Sequence, residues 1–197
     1  MDKAVLRREI LARRAALADR EARGVVILDR VRLLAGFRAA RVLSSYVGVG
    51  AEVATTALLV EALERRVRVA VPARDGDRLR LVEIRALFDL MPASFGLLEP
   101  PLALATLPER AVAAGTVDVI LVPGVAFDRQ GGRLGHGRGY YDRLLEEAGS
   151  RPLRVALAFS CQIVDAVPMG PGDQPMDLLV SEEGVYPVSA RTASADR

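Results

Sequence analysis

The chain has 197 residues, of which 51% are hydrophobic, enough for one domain with a substantial core. Its 27 basic residues (Lys and Arg) and 25 acidic residues give a formal net charge of +2, which disfavours nucleic acid as the main partner. A single cysteine, Cys161, excludes an internal disulfide and a multi-cysteine metal site. Because the sequence has neither an apolar run of about 18 residues nor a signal-peptide-like start, we expect a cytoplasmic monomer with no membrane partner.

The first part of the chain, residues 2–34, has the apolar periodicity of helix, and Gly24 is predicted to divide it into two helices. Lys3, the only lysine in the chain, and Arg7 are four residues apart, so they share one helix face. The usual meaning of such a pair is a solvated surface, and the spacing alone is common.

Further along the chain, apolar strands alternate with amphipathic helices. The expected order is strand 42–47, helix 56–66, strand 68–72 ended by Pro72, a turn at 75–77 into an edge strand 79–84, strand 117–122, helix 140–148 and strand 153–160. This alternation predicts a three-layer α/β domain with a mainly parallel sheet over residues 1–187, followed by a disordered tail over 188–197. Such sheets bind ligands at the carboxyl ends of their strands, where Glu52, residues 131–139 and Gln162 should therefore converge.

The most informative stretch is the loop 131–139, which joins an apolar strand to a helix. It contains five glycines and two arginines, Arg133 and Arg138, in nine residues. Glycines let backbone N–H groups approach an anion, and the helix N-terminus adds unpaired N–H groups and partial positive charge. With two guanidinium groups added, residues 131–139 predict a phosphate cradle in a nucleotide-using enzyme.

This phosphate cradle matches neither of two common phosphate-binding motifs. It lacks the Gly-Lys-Ser/Thr ending of a P-loop, and its G-x-G-x-G spacing differs from that of a dinucleotide fold. The alternative is an ordinary glycine-rich turn whose arginines are solvated.

The segment PGVAFD at 123–128, followed by RLGxGxGYYD at 133–142, resembles the signature of the 5-formyltetrahydrofolate cyclo-ligases, also called 5,10-methenyltetrahydrofolate synthetases. The Lys-x-x-x-Arg opening, Glu52 and the stretches 95–101 and 158–163 are similar to the family as well. The resemblance covers residues 3 to about 186. It implies a Rossmann-like α/β fold of the sugar-isomerase and CoA-transferase type.

The resemblance also implies an activity, the ATP-driven conversion of 5-formyltetrahydrofolate to 5,10-methenyltetrahydrofolate with release of ADP and phosphate. In that reaction the formyl oxygen is phosphorylated and N10 of the folate then attacks the activated carbon. The implied partners are therefore a small-molecule folate, ATP and Mg²⁺. Phosphoryl transfer asks the protein mainly for positioning and charge stabilisation, which suits a site of amides and arginines.

The resemblance further implies roles for individual residues. Nucleotide contacts are expected from Lys3, Arg7, Arg133, Leu134, Gly135, His136, Gly137, Arg138, Gly139, Tyr140 and Tyr141. Folate contacts are expected from Val47, Glu52, Phe95 and Gln162. Asp142 and Asp177 would hold Mg²⁺, while Arg138 and Tyr141 would act in catalysis.

Several alternatives to these roles stay open at this point. Glu52 and Asp142 could instead be acids that only stabilise the N-terminus of a helix through its dipole. Gly172 replaces a histidine that the family usually carries, which favours a non-catalytic folate- or nucleotide-binding paralogue. A sugar-phosphate isomerase would leave the Tyr-Tyr-Asp match a coincidence. Nucleic-acid binding by the arginine-rich N-terminal helices is disfavoured by their interspersed acidic residues.

Overall fold

The computed structural model describes residues 2–93, 96 and 98–188. In these ranges the α-helices are α1 (Lys3–Ala16), α2 (Arg20–Leu33), α3 (Ala35–Ala39), α4 (Thr56–Glu64), α5 (Leu102–Ala105) and α6 (Tyr140–Ala148). The strands are β1 (Val42–Ser45), β2 (Arg68–Asp75), β3 (Arg78–Ile84), β4 (Met91–Pro92), β5 (Leu98–Glu99), β6 (Ala111–Val112), β7 (Val119–Val122), β8 (Ala126–Asp128), β9 (Arg133–Leu134), β10 (Leu153–Leu157), β11 (Ile163–Val164), β12 (Leu178–Val180) and β13 (Val185–Pro187). Phe95 lies outside the described residues.

The main sheet of the described residues has eight strands in the order β13-β12-β10-β7-β1-β2-β3-β6. Neighbours from β12 through β2 run parallel, whereas β13, β3 and β6 pair antiparallel at the two sides. A smaller sheet, β11-β8-β9, stands beyond the carboxyl ends of the central strands. The mainly parallel sheet expected from the alternating pattern is confirmed.

The central strand β7 shows why the domain has three layers. Val119 and Leu121 belong to the core shared with α2 and α4, whereas Ile120 and Val122 belong to the core shared with α6. All four side chains are buried. A strand covered on both faces needs a continuous apolar run rather than an alternating one, which is what residues 117–122 supply.

Helix α1 packs across the smaller sheet rather than on either face of the main one. Leu6 and Ile10 are buried in a separate apolar cluster with Val125, Ala126 and Leu134, among others. At the start of the helix, the Asp2 carboxylate accepts hydrogen bonds from the backbone N–H groups of Ala4 and Val5. These bonds hold the pKa of Asp2 below its ordinary value, as expected for an N-cap.

The break between the first two helices falls at residues 17–19 and not at Gly24, which lies inside α2. Asp19 takes up the left-handed conformation that separates the helices (φ 54°). A glycine inside a helix costs only about 1 kcal/mol, and buried Ile27 and Val31 in the same helix outweigh it.

Two predictions about the hairpin β2–β3 were also wrong in detail. β2 does not end at Pro72 but continues to Asp75. Beyond Ala70 this strand pairs with β3 alone, so the missing N–H of proline is tolerated there. β3 itself is not the edge strand, because β6 pairs with it at Leu81 and Val82.

The end of the domain lies slightly later than expected. Val188, predicted to open the tail, is buried, and its backbone N–H donates to the carbonyl of Asp177 at 2.9 Å. Residues 189–197 lie outside the described part of the chain, so the structure does not bear on the predicted disorder there.

Asp128 organises the turn that precedes the phosphate cradle. Its Oδ1 accepts the backbone N–H groups of Gln130 at 2.9 Å and Gly132 at 2.7 Å, and its Oδ2 accepts that of Val167 at 2.7 Å. A Cβ added at Gly132 would lie 2.3 Å from Oδ2, so only glycine allows this close approach. A single carboxylate therefore joins the start of the cradle to the chain after β11.

We predict that Asp128→Ala lowers the free energy of unfolding by about 3 kcal/mol or more, because it leaves three backbone donors unsatisfied. Urea titration followed by circular dichroism measures the change. Asp165→Ala is the matched control, because Asp165 is exposed and makes no polar contact with the described residues. Equal stability of the two variants would contradict this role for Asp128.

Candidate active site

A cavity of about 940 Å³ opens where the parallel strands end. Val47 follows β1, Pro72 lies in the last part of β2, and Gly124 follows β7, and all three line the cavity. α1 forms one wall and the phosphate cradle forms another. Ligand sites of open α/β sheets lie at this edge, so the expected convergence is observed for Glu52 and the cradle.

Most of the residues predicted for the site are brought together here. Those that line the cavity are Lys3, Arg7, Val47, Glu52, Arg133, Leu134, Gly135, His136, Gly137, Arg138, Gly139, Tyr140, Tyr141 and Asp142. Gln162 and Asp177 do not line it, and Phe95 lies outside the described residues.

The backbone of the cradle takes the conformation that its glycines were expected to allow. Gly137 and Gly139 have positive φ angles of 95° and 66°, in the region that side chains rarely adopt. Gly139 is the N-cap of α6, whose axis starts at Tyr140. The first N–H groups of that helix have no partner within it, so they are available to an anion.

Two cations of α1 line the cavity, and one of them contacts the cradle. Arg7 Nε donates to the carbonyl oxygen of Gly135 at 2.9 Å, which fixes the guanidinium beneath the loop. Lys3 Nζ lies 2.6 Å from Asp173 Oδ2, and that oxygen also accepts the backbone N–H of Gly170. The lysine and Arg7 thus lie on one helix face, as their spacing predicts, and that face points into the cavity.

Asp173 is charged because of these donors. Burial by itself would raise the pKa of its carboxyl, but the hydrogen bonds from Lys3 and from the Gly170 N–H outweigh burial and hold it below the ordinary value. The neighbouring Gly172 stands in open space, since a Cβ added there would meet no atom within 4 Å. The absence of the usual histidine therefore leaves no hole in the structure.

Arg133 and Asp142 form the most buried ion pair of the cavity. Arg133 Nη2 lies 2.6 Å from Asp142 Oδ1, with 4% and 20% of the two side chains exposed. The same Oδ1 accepts the backbone N–H of Gln174 at 3.2 Å. Asp142 is therefore more than a first-turn acid of α6, because it ties the cradle to residues 173–174 and still faces the cavity.

A second part of the cavity has two tyrosines, Tyr46 and Tyr141, at its base. Tyr141 is surrounded by both core clusters, and burial, then the carboxylate of Glu52, raises the pKa of its phenol well above 10. The same two causes raise the pKa of Tyr46, whose hydroxyl donates to the Val53 carbonyl at 3.1 Å. Both phenols therefore stay protonated at neutral pH.

Glu52 lies between these tyrosines and the cradle. Its Oε2 accepts the backbone N–H of Val49, and its Oε1 lies 3.8 Å from Nε2 of the exposed His136. Only 16% of the Glu52 side chain is exposed, so the carboxylate faces the cavity rather than bulk solvent.

The two adjacent tyrosines of α6 have different environments, as their angular separation predicts. Tyr140 stacks with Arg143 and its hydroxyl donates to the Gly76 carbonyl in the β2–β3 turn. Tyr141 points inward, and its hydroxyl has no hydrogen-bond partner among the described residues. The guanidinium of Arg138 is exposed at the cavity and forms no hydrogen bond or ion pair with the described chain.

Two predicted site residues need correction. Gln162 is 1% exposed, and its amide group is used within the protein: Nε2 donates to the carbonyls of Gly124 and Val125, and Oε1 accepts the N–H of Phe159. It supports the floor of the cavity and does not face a ligand. The signal that it follows a strand was correct, but it could not reveal which way the side chain turns.

Asp177 lies at the amino ends of β10 and β12, whereas the cavity opens at the carboxyl ends. Its Oδ2 accepts the backbone N–H of Arg154 at 2.8 Å. A residue that immediately precedes a parallel strand is placed at the opposite edge from one that follows it. The structure therefore separates Asp177 from Asp142 and from the cavity.

Arg14 is a cavity residue that the sequence analysis did not select. It lies on the same face of α1 as Lys3 and Arg7, because 11 residues are close to three helical turns. That periodicity was available in the sequence. The adjacent Arg13 is equally basic, and only the docked helix shows which of the two arginines lines the cavity.

A mainly parallel sheet with a glycine-rich loop and a large cavity at its carboxyl edge defines the class: an α/β protein with a cavity where such sheets bind ligands. The model of the 5-formyltetrahydrofolate cyclo-ligase family matches residues 1–182. The chain belongs to this family.

Individual relatives agree with the family match. The chain is 37% identical over 152 residues to the 5-formyltetrahydrofolate cyclo-ligase of Mycolicibacterium smegmatis, covering 74% of this chain and 76% of that protein. It is 30% identical to the Haemophilus influenzae enzyme of the same name, with 88% and 92% covered. The NMR structure of Aquifex aeolicus 5,10-methenyltetrahydrofolate synthetase superposes with a TM-score of 0.82 at 33% identity, covering 96% of this chain and 94% of that one.

Among the helices that the structure describes, none combines the length and apolarity that a membrane span requires.

The lowered pKa of Asp173 leads to a prediction for stability against pH. We expect Asp173→Asn to lower the free energy of unfolding by about 1 kcal/mol or less at neutral pH, because the pair with Lys3 is partly exposed. A depressed carboxyl pKa stabilises the fold above the unfolded value of about 3.9, and this contribution disappears as the pH falls through the folded value.

Urea unfolding of the wild type and of Asp173→Asn between pH 7 and pH 2.5 tests this. The difference between the two proteins should be constant above about pH 5 and should vanish at the acid end. A difference that grows on acidification would contradict the assignment.

Proposed function

We propose that the protein catalyses the ATP-dependent closure of 5-formyltetrahydrofolate to 5,10-methenyltetrahydrofolate, releasing ADP and phosphate. The observation that carries the proposal is that one cavity joins the phosphate cradle to a chamber formed by Tyr46, Glu52 and Tyr141. A triphosphate and a second small molecule can therefore meet inside a single cavity.

The chemistry requires activation of a poor leaving group. The formyl oxygen attacks the terminal phosphorus of ATP, the bond between that phosphorus and the ADP oxygen breaks, and the formyl carbon becomes electrophilic. N10 of the folate then adds to this carbon and gives up its proton to solvent, and breakage of the bond between the carbon and the phosphate oxygen gives the methenyl ring. Each step depends on holding two substrates in line and neutralising phosphate charge rather than on a protein nucleophile.

For the nucleotide half of the cavity, we assign the phosphate oxygens to cations on opposite walls. Lys3 and Arg7 approach from α1, Arg133 and Arg138 from the cradle. The backbone N–H groups around Leu134, Gly135, His136, Gly137, Gly139 and Tyr140 complete the shell. Arg138 suits the transferring phosphoryl group best, because its guanidinium is not held by the protein.

Asp142 fits a magnesium ligand of the kind that nucleotide enzymes use. Mg²⁺ is usually bound through one or two carboxylates together with substrate phosphates and water. The described residues contain no group of three or more potential metal-ligating side chains, so the protein alone would not hold the ion. Mg²⁺ would supply further neutralisation of phosphate charge when it binds with the nucleotide.

For the folate half, we assign Val47, Glu52 and Tyr141 as contacts. Glu52 offers carboxylate oxygens to the donor N–H groups of a pterin, and Tyr141 offers a phenol that remains a donor. Phe95, which the family resemblance assigns to the same pocket, belongs to the undescribed segment. We also infer that the domain is of the Rossmann-like sugar-isomerase and CoA-transferase type.

The direct test mixes purified protein with 5-formyltetrahydrofolate, ATP and Mg²⁺ and follows the methenyl chromophore. We expect a gain in absorbance that requires all three additions. Folate binding without any gain would instead support a non-catalytic paralogue.

Replacement of Arg138 tests the catalytic half of the assignment. We expect Arg138→Ala to lower kcat by about a hundredfold or more, since it removes a charged donor to the transferring phosphoryl group. Arg8→Ala, an exposed change on α1 that faces away from the cavity, is the control. Unchanged turnover of Arg138→Ala, with a normal melting temperature, would refute the role.

Tyr141→Phe tests whether the inward phenol contacts substrate. The hydroxyl has no hydrogen-bond partner among the described residues, so its removal should leave the melting temperature unchanged. We expect kcat/KM for the folate to fall about tenfold, the cost of one hydrogen bond. Steady-state kinetics at saturating ATP measure the effect, and wild-type values would contradict it. Tyr140→Phe provides the comparison on the adjacent ring.

A further inference from the structure

Arg14 is the one buried cation of the cavity to which the assignments above give no task. It lies in the last turn of α1, lines the cavity, and is only 6% exposed. Burial of a guanidinium is costly unless acceptors surround it, so the partners of Arg14 decide what it does.

Those partners are few. Nη1 donates to the Gly124 carbonyl at 3.2 Å, a carbonyl that the Gln162 amide also uses, and Nε is buried with no hydrogen-bond partner. Within the described chain no carboxylate lies within ion-pair distance of Arg14. Buried Arg154 is different, because four oxygens of the chain accept from it.

The position of Arg14 separates it from the phosphate cradle. Arg14 follows Arg7 by seven positions on α1, which is about 10 Å along the helix axis. Arg7 is fixed to Gly135 in the cradle, whereas Arg14 is fixed to Gly124 beyond the end of β7. Arg14 lines the same cavity as Tyr46 and Glu52, so we place it with the chamber that these two residues form. Its positive charge there opposes the larger effect of burial on the pKa of the Tyr46 phenol.

We propose that Arg14 is a substrate-binding residue whose free guanidinium N–H groups donate to the ring carbonyl oxygen of the pterin. This inference rests on the proposed function. A pterin ring carries N–H donors along one edge and a carbonyl acceptor beside them. At the same end of the cavity, the Glu52 carboxylate would accept from these donors and the Arg14 guanidinium would donate to the carbonyl. The formyl oxygen is a poorer partner for Arg14, because a guanidinium bound there would withdraw the lone pair that attacks phosphorus.

The test compares Arg14→Met and Arg14→Lys with Arg13→Met, an adjacent exposed arginine paired with Glu9. Titration calorimetry measures binding of 5-formyltetrahydrofolate and of 5-methyltetrahydrofolate without ATP, and steady-state kinetics give the two KM values. We expect Arg14→Met to weaken both folates about tenfold or more, the loss of a charge-assisted hydrogen bond. KM for ATP should stay within about twofold of the wild type.

Arg14→Lys should recover part of the affinity, since it keeps the charge but loses the planar fork, and Arg13→Met should bind as the wild type does. If binding weakens only for the 5-formyl compound, the partner of Arg14 is the formyl oxygen. If only KM for ATP rises, its partner is a phosphate group. Unchanged folate affinity, or either of these two results, overturns the proposal.

Thermal unfolding without ligand separates binding from structure. If Arg14 serves the ligand, Arg14→Met should melt at or above the wild-type temperature, because an unpaired buried charge is removed. A lower melting temperature together with weaker binding would mean that Arg14 is structural. Should Arg14→Met fail to fold, the folate affinity of Arg14→Lys decides. If the wild type shows no turnover, the proposed function is wrong, but the calorimetric test of folate binding by Arg14 still applies because it needs no catalysis.

Discussion

Leu6 and Ile10 of α1 are buried against Val125, Ala126 and Leu134, and this apolar contact sets the place of every cation on the helix. With these side chains packed downward, the residues on the adjoining stripe, Lys3, Arg7 and Arg14, turn toward the cavity. The helix thereby lines the cavity from Lys3 to Arg14. The positions of these three charges therefore follow from the burial of the apolar face of the helix.

The opposite wall depends on a different constraint, the satisfaction of buried backbone donors. Asp128 accepts three N–H groups and fixes the turn from which the phosphate cradle rises. The ion pair of Arg133 and Asp142 then joins the cradle to the start of α6. Apolar packing places the wall formed by α1, and hydrogen bonds place the wall formed by the cradle. The backbone N–H groups of the cradle are therefore positioned before any ligand binds.

The sequence predicted the fold and much of the cavity because both depend on local pattern and strand direction. The apolar run of β7 requires two covered faces, and residues that follow parallel strands share one edge. The sequence did not predict which way individual side chains turn, or at which edge of the sheet they lie. Gln162 follows its strand yet turns inward to Gly124, Asp177 precedes its strand and so lies at the other edge, and Arg14 is indistinguishable from Arg13 until the helix is docked.

Lys3 is the only lysine of the chain, and its ammonium group stands in the cavity beside Asp173. Amine-selective reagents therefore have one side-chain target, and 42% of that side chain is open to them. Acylation of this nitrogen would remove one positive charge from the wall of the cavity. The extent of Lys3 acylation therefore measures how accessible this part of the cavity is, without an engineered label.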